Sequence, residues 1–309
     1  MSNTKHTDAL AGEGIALGAL SNRFIGFGVT LAVAGLGASA MLAQKTDPRV
    51  AAHAYLLAVV YFISIALGAL FFVQLQHLAR AGWSTVVRRL AEMIATSLPV
   101  LLLFLTPLLI GIVKGSDALL PWADPAVVSH DHALREKAAY LNVPFLLVRV
   151  GIYFALWTFF SRFFFNRSVK QDTTGELKLS YTMQWVAAPA MACFVLSATF
   201  FSFDFLMSLE PTFISTLFGI YYFAGCAMSF FATTTLLARL LQANGRLKDI
   251  INVEHYHDLG KFMFGFVFFW GYAAFSQYML IWYANIPEET EWFLQRQEGS
   301  WVWLSLFLL

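Results

Sequence analysis

Seven stretches of this sequence are each long and apolar enough to cross a lipid bilayer, which takes about 20 residues of helix. They are interrupted by Gly and Pro and do not alternate polar with apolar residues, as barrel strands do. The pattern predicts an all-α integral membrane protein, a polytopic helix bundle with seven full spans and the start of an eighth near residue 300. The predicted spans are residues 22–43, 52–79, 91–113, 140–165, 184–207, 212–241 and 259–285.

The two ends of the chain differ in character. Residues 1–21 predict a cytoplasmic N-terminal tail, and residues 22–309 predict one polytopic membrane domain. Residues 301–309 are apolar apart from Ser305 but too few to span a bilayer. We therefore expect the domain to be incomplete at its C-terminus, with the last helix continuing past Leu309.

Composition agrees with a membrane location and argues against nucleic acid, zinc and iron-sulfur clusters as ligands of this chain. Hydrophobic residues make up 59% of the chain and charged residues only 13%, against about 25% charged in soluble domains. The net charge of +1 provides no basic stripe for nucleic acid. Cys193 and Cys226 both lie in apolar segments, where we interpret them as packing residues, and two cysteines alone build neither a zinc site nor an iron-sulfur cluster.

The loop charges predict the orientation of the chain in the membrane. Basic residues cluster in the tail and the even-numbered loops, and by the positive-inside rule these face the cytoplasm. The N-terminus is then cytoplasmic. The basic residues on this side are Lys5, Arg23, Arg80, Arg88, Arg89, Arg162, Arg167, Lys170, Lys178, Arg239, Arg246 and Lys248.

The connection between the fifth and sixth spans is the leading candidate site. Residues 179–238 contain no Lys or Arg, and their only formal charges are Asp204 and Glu210. Carboxylates among apolar helices are costly unless they are paired, neutralised or hydrated, so they are candidates for function. Glu210 followed by Pro211 is also typical of a helix start, so this residue is either a cap or a functional group.

Arg149 is the natural partner for Asp204. Adjacent spans are antiparallel, which places Arg149 in the fourth span and Asp204 in the fifth within the same outer half of the bilayer. A pair between them offsets the cost of burying each charge, and we predict that the two side chains lie within salt-bridge reach. The pair is either part of a proton path or a static lock between two helices.

A second group of ionisable residues lies at the cytoplasmic side. Glu92 follows Arg88 by four residues, the spacing of a helical ion pair. His255, His257, Asp258 and Lys261 crowd the start of the seventh span, with Asp258 and Lys261 on one face. With Glu92 they are candidates for the inner mouth of a proton route, and ordinary interfacial charge is the alternative.

Between the two groups the sequence offers only hydroxyls and amides, such as Tyr153 and Tyr278, which order water but hold no charge. Two proton-conducting half-channels are the most that this inventory supports. The chain supplies no catalytic residue and no metal site that we can identify. The histidines lie in tails, loops or helix ends, so none is placed to hold a haem between helices. They are His6, His53, His77, His130, His132, His255 and His257.

Three motifs resemble one family of membrane subunits. They are residues 77–92 (HLARAGWSTVVRRLAE), residues 202–211 (SFDFLMSLEP) and the segment 258–289 at the seventh span. Together they resemble the second large membrane subunit of bacterial alternative complex III, which belongs to the NrfD/polysulfide-reductase-like membrane anchors. The likeness covers spans two to seven.

The resemblance implies a ten-helix fold of two four-helix bundles with peripheral spans, of which this sequence would be a truncated part. It also implies a location in a bacterial inner membrane and a role in a quinol:electron-acceptor oxidoreductase that passes electrons to an acceptor such as cytochrome c. No redox cofactor would belong to this chain. Haem c and iron-sulfur clusters would sit on multihaem cytochrome c and iron-sulfur partner subunits, beside a homologous NrfD-like membrane subunit, lipids and menaquinone or ubiquinone.

Three functions are consistent with the sequence. The first is a membrane subunit of a respiratory quinol oxidoreductase, with a quinone contact and proton-conducting half-channels. The second is a purely structural membrane anchor. The third is a proton-coupled secondary transporter, which buried Arg and Asp residues and Pro-interrupted helices would also suit.

Overall fold

A computed structural model describes residues 19–115, 119–130, 132–248, 250–299 and 301–308. Over these residues the chain is helical with no strand, and three short 3-10 turns occur at Pro121–Ala123, Met207–Leu209 and Gln295–Gln297. The helices are α1 (Ala19–Ala43), α2 (Pro48–Leu78), α3 (Thr85–Ala95), α4 (Leu98–Val113), α5 (Pro125–His130), α6 (His132–Lys137), α7 (Val143–Thr174), α8 (Leu177–Phe205), α9 (Phe218–Ala243), α10 (Val253–Ala284), α11 (Pro287–Leu294) and α12 (Trp301–Leu308).

Seven spans in the described residues are long and apolar enough to cross a membrane, which confirms the predicted all-α polytopic class. The third span combines α3 and α4, which meet at Thr96 and Ser97 just before Pro99. Helix α7 runs past its predicted end, and α9 begins six residues later than predicted, at Phe218 rather than 212. Residues 1–18 of the predicted tail lie outside the described part of the chain, and its residues 19–21 belong to α1.

Helix α2 lies at the centre of the bundle. It packs against α1, α3, α4, α7, α8 and α9. Within an apolar 18-residue stretch of this helix, 78% of the residues are buried. A helix that is hydrophobic on all sides buries every face, and α2 has that pattern. Its closest approach to a neighbour is at Gly68, where a side-chain Cβ would lie 2.2 Å from the backbone oxygen of Cys226 in α9. Glycine therefore sets the spacing between these two helices.

The outer surface of the bundle carries large apolar side chains. Trp185, Leu236 and Phe268 are among those that project outward, and Trp185 is 82% exposed. Soluble proteins rarely show apolar patches of this extent, whereas helices in a bilayer require them. The exposed surface thus agrees with seven membrane-spanning helices.

A tight turn pairs α7 with α8 and sets their register. Gly175 ends α7 with a left-handed backbone conformation at φ 66°, and α8 starts two residues later. Glycine adopts this conformation without a Cβ penalty, so the chain reverses direction sharply here. Arg149 and Asp204 stand at nearly equal separations in sequence from Gly175, so the antiparallel pair brings them to the same level.

The connections between spans alternate between the two ends of the bundle. One end, here called the arginine-rich end, contains residues 79–84, 175–176 and 244–252. The other, here called the hinge end, contains the described residues of the connection between α4 and α7, and residues 206–217 between α8 and α9. The candidate site residues fall at these two ends.

Candidate functional site

Arg149 and Asp204 form a buried ion pair at the hinge end. The guanidinium Nε and Nη2 of Arg149 donate to Asp204 Oδ2 and Oδ1, each at 2.9 Å. Asp204 is 0% exposed and Arg149 is 6% exposed. Two parallel bonds of this kind are the strongest geometry available to an arginine and a carboxylate. The predicted salt bridge is confirmed.

Further groups complete the surroundings of this pair. The Tyr153 hydroxyl donates to Asp204 Oδ2 at 2.8 Å, and Arg149 Nη1 donates to the Tyr140 carbonyl at 2.9 Å. The Arg149 guanidinium also lies 4.0 Å from the Tyr140 ring centroid and 4.4 Å from that of Phe145. Aromatic faces stabilise a desolvated cation. The pair is therefore compensated by hydrogen bonds and by two rings.

Tyr140 covers the pair from the connection that precedes α7. Burial is the main cause that raises the pKa of its hydroxyl, and the negative charge of Asp204 raises it further. The Tyr140 hydroxyl is buried without a hydrogen-bond partner in the described structure. The hydroxyl nevertheless lies close enough to Asp204 and Tyr153 for both side chains to influence its pKa.

An apolar cavity of about 280 Å³ opens beside this network. Its wall includes Tyr140, Phe203, Ser208 and Glu210. Tyr140 packs on Arg149, and the Ser208 hydroxyl donates to the Asp204 carbonyl at 2.5 Å. A single layer of residues therefore separates the cavity from the ion pair.

Glu210 is not a helix cap. Helix α9 begins at Phe218, and Pro211 lies in a turn that follows the 3-10 turn Met207–Leu209. The interpretation of Glu210 and Pro211 as a helix start is therefore wrong. The Glu210 carboxylate is half-buried, accepts a bond from Thr212 Oγ1 at 2.9 Å and lines the apolar cavity. Seven residues separate it from the next helix, because the chain must first cross the hinge end.

Helix α11 packs over this hinge. The Trp292 ring stacks on Phe213 with centroids 4.6 Å apart. Arg296 follows α11, stacks on Trp292 at 3.3 Å and donates to its carbonyl at 2.5 Å. Burial lowers the pKa of Arg296, while the charges of Tyr221 and Glu210 act in the opposite direction. Arg296 therefore contributes positive potential near the cavity that Glu210 lines.

A second charge cluster lies near the arginine-rich end. Glu92 is 1% exposed and accepts a bond from Arg89 Nη1 at 3.0 Å. Arg88 Nε lies 3.6 Å from Glu92, which confirms the predicted i, i+4 pair. Arg89 also donates to Asp172 near the end of α7. The cluster therefore ties α3 to α7.

The remaining candidates at the arginine-rich end lie apart from this cluster. His255 caps the start of α10 by bonding with Asn252, so its imidazole is used locally. Asp258 and Lys261 pair at 3.2 Å, as their spacing predicts, and His257 is exposed. Across the described residues, no hydrogen bond or ion pair joins these four residues to Glu92. The structure does not assemble them into one inner mouth.

Tyr278 is also outside both clusters. Its side chain is partly exposed on α10, and its ring makes an edge contact with Phe293 at 5.3 Å. The interior between the two ends instead contains a bond from Trp157 Nε1 to Ser197 Oγ at 2.8 Å. Gln74 and Thr234 are fully buried there, without a partner for the Gln74 amide or the Thr234 hydroxyl among the described residues.

Two sets of residues were not predicted as members of these sites: Tyr153, which was predicted only as a hydroxyl that orders water, and the polar end of the second span. Tyr153 follows Arg149 by four residues, so both side chains share one face of α7, and that spacing identifies the tyrosine as a third member of the network. Gln74, Gln76 and His77 end the second span, and three polar side chains within an otherwise apolar run were the available signal.

The described residues contain no group of three His, Cys, Asp or Glu side chains that could hold a metal ion. Comparison of the chain with models of protein families finds no match, and comparison with curated proteins finds none either. The membrane-helix bundle rests on the structure alone. The resemblance to the NrfD-like anchors stays a prediction from the motifs.

Proposed function

We propose that this chain is a membrane subunit of a respiratory quinol oxidoreductase of the alternative complex III type. Multihaem cytochrome c and iron-sulfur partner subunits carry the electrons, and a homologous NrfD-like subunit lies beside it. The arginine-rich end faces the cytoplasm of a bacterial inner membrane, because basic loops stay on that side. The three sequence motifs and the all-α polytopic fold support this proposal.

The observation that carries the proposal is the apolar cavity next to the charged network at the hinge end. A quinone ring is flat and apolar, and ligand pockets typically combine an apolar wall with a few polar groups. Here the wall contains the Glu210 carboxylate, and the Tyr140 hydroxyl, which has no described partner, lies beside it. The cavity therefore offers both a site for the ring and groups that bond to its oxygens.

In this proposal Glu210 is the proton acceptor and the ion pair is its fixed support. Oxidation of a quinol to a quinone releases two protons and two electrons. The electrons pass to cofactors on partner subunits, and the protons leave through groups at the hinge end. Glu210 is half-buried with a single hydroxyl donor, so it can exchange protons with a ligand or with water more readily than Asp204 can.

The test compares Glu210→Gln with Glu254→Gln in the purified complex. Glu254 lies in the first turn of α10 at the other end of the bundle. We expect Glu210→Gln to lower quinol turnover and its pH dependence while haem and iron-sulfur subunits still copurify, and Glu254→Gln to leave both unchanged. A chain that purifies from native membranes without redox subunits, or equal turnover in both variants, would refute the proposal.

A structural anchor is the second candidate, and one observation favours it. Both oxygens of Asp204 are occupied by donors from Arg149 and Tyr153, as expected of a lock between α7 and α8. Asp204→Asn separates the two candidates. Loss of assembly alone would support the anchor, whereas intact assembly and turnover with a lower membrane potential would support a path for protons.

A further inference from the structure

A polar cavity of about 350 Å³ lies at the arginine-rich end, away from the hinge and its proposed quinone contact. It is enclosed by the end of α2, the start of α3, the end of α7 and the start of α8. Its size falls within the range of ligand pockets, roughly 300–1,000 Å³. Its wall includes the side chains of Gln76, His77, Arg80, Arg88 and Asp172.

Two buried side chains of this wall have polar atoms without a partner. Gln76 is 2% exposed and its Oε1 has no hydrogen-bond donor in the described structure. His77 is 4% exposed and its Nε2 is likewise unpaired, while its ring stacks on Phe164 at 5.3 Å. A buried polar atom without a partner costs about 1–3 kcal/mol. Both atoms belong to residues that line the cavity, so an occupant with polar groups would remove that cost.

The charge of the wall favours an anion. Arg80 and Arg88 both line the cavity, and the charges of Glu92 and Asp172 are shared with Arg89. The Arg88 guanidinium lies 3.6 Å from Glu92 and donates no side-chain hydrogen bond to any described residue. The starts of α3 and α8 are also here, and helix N-termini favour negative charge. Arg80 and Arg88 therefore face a space whose one lining carboxylate, that of Asp172, is already paired with Arg89.

We propose that this cavity binds a phosphate group that carries or adjoins a hydroxyl. The phosphate oxygens accept bonds from Arg88, Arg80 and His77 Nε2, and the hydroxyl donates to Gln76 Oε1. Two sources share this chemistry, the headgroup of an anionic phospholipid with glycerol hydroxyls and free inorganic phosphate. The site lies where helices end, at the level of lipid headgroups, and basic pockets between membrane helices bind such headgroups.

The experiment uses the full chain, with any subunits that copurify, stripped of lipid in a neutral detergent. Native mass spectrometry follows titration with phosphatidylglycerol, with phosphatidylcholine as the lipid that has no headgroup hydroxyl, and with inorganic phosphate as a competitor. The test variant is Arg80→Gln, whose side chain is exposed and therefore safe to replace. The matched control is Lys248→Gln, an exposed cation of the same end outside the cavity.

We expect phosphatidylglycerol to bind at least tenfold more tightly than phosphatidylcholine. One basic side chain near an anionic lipid contributes about a fivefold difference in affinity. Arg80→Gln should therefore weaken phosphatidylglycerol binding by about fivefold, whereas Lys248→Gln should leave it unchanged. Binding that phosphate does not displace identifies a lipid, and displacement by phosphate identifies the free anion. Equal binding of the two lipids, or equal losses in the two variants, would overturn the proposal, since diffuse surface charge would then explain the data.

Discussion

Removal of one partner of the Arg149–Asp204 pair should destabilise the bundle more than any surface change. Arg149 is only 6% exposed, and Asp204→Leu leaves its guanidinium without its carboxylate. Loss of one member of a buried ion pair typically costs about 3–5 kcal/mol. The Tyr153 hydroxyl loses its acceptor as well, which adds about 1 kcal/mol. Arg149→Met should be destabilising for the same reason, because Asp204 is then the unpaired charge.

The double variant Arg149→Met/Asp204→Leu should recover most of this loss. No charge remains buried, and two apolar side chains of similar length fill the space between α7 and α8. Replacement of buried ion pairs by apolar residues is often neutral or even stabilising. We therefore expect the cost of the double variant to be at least about 2 kcal/mol smaller than the sum of the two single costs, the coupling expected of contacting groups.

The assay is reversible unfolding in mixed micelles, with the midpoint measured for each variant. The matched control is Asp172→Leu, which removes a carboxylate from an ion pair whose acidic side chain is 64% exposed. Exposed pairs contribute at most about 1 kcal/mol. If Asp204→Leu cost no more than Asp172→Leu, or if the single costs simply added, Arg149 and Asp204 would be solvated in the membrane and the argument for a buried network would be wrong.

Two further predictions use the same unfolding measurement. Gly68→Ala should cost about 1–3 kcal/mol because its Cβ would meet the Cys226 carbonyl at 2.2 Å, whereas Gly111→Ala, with open space around it, should not destabilise. An unchanged midpoint for Gly68→Ala would contradict the packing of α2 on α9. Burial raises the pKa of the Tyr140 hydroxyl in the folded state above the ordinary tyrosine value near 10, which applies to the unfolded chain. The neutral hydroxyl therefore contributes its full stabilisation below about pH 10, and this contribution is lost as the pH rises further. Tyr140→Phe should therefore reduce the loss of stability between pH 9 and pH 11, and an identical pH profile would contradict this.

The fold class was predictable because bilayer thickness imposes a length on every span. All seven predicted spans correspond to helices in the structure. Their ends were less predictable, since helices extend beyond the apolar run wherever caps or turns allow. Helix α7 continues to Thr174 because Gly175 supplies the left-handed residue that ends it, and α9 starts late because residues 210–217 form the hinge.

The sequence predicted the part of the site in which the free-energy cost of burying a charge requires an oppositely charged partner. It did not predict the parts that depend on how helices are placed relative to one another. Asp204 and Arg149 were expected to pair because burying either charge alone is strongly unfavourable. Since the fourth and fifth spans are antiparallel neighbours, their positions in the sequence were enough to predict the pair. Glu92, by contrast, finds its partners within its own helix, and nothing in the sequence fixes its distance from Asp258. The cavity near His77 arises from how four helix ends diverge, which no pattern along a single helix reveals.

The two ends of the bundle differ in how fully their polar groups are satisfied, and this difference bears on mechanism. At the hinge end Asp204 accepts three bonds from fixed donors, so it exchanges a proton only after Arg149 or Tyr153 moves away. Chemistry there is expected at Glu210 and Tyr140, which border the cavity. At the arginine-rich end Gln76 Oε1 and His77 Nε2 have no hydrogen-bond partner among the described residues, so a bound ligand is expected to supply one. If the proposed function and the proposed anion site are correct, the groups that exchange protons or ligands are therefore expected at the two cavities rather than at Asp204, the most deeply buried charge.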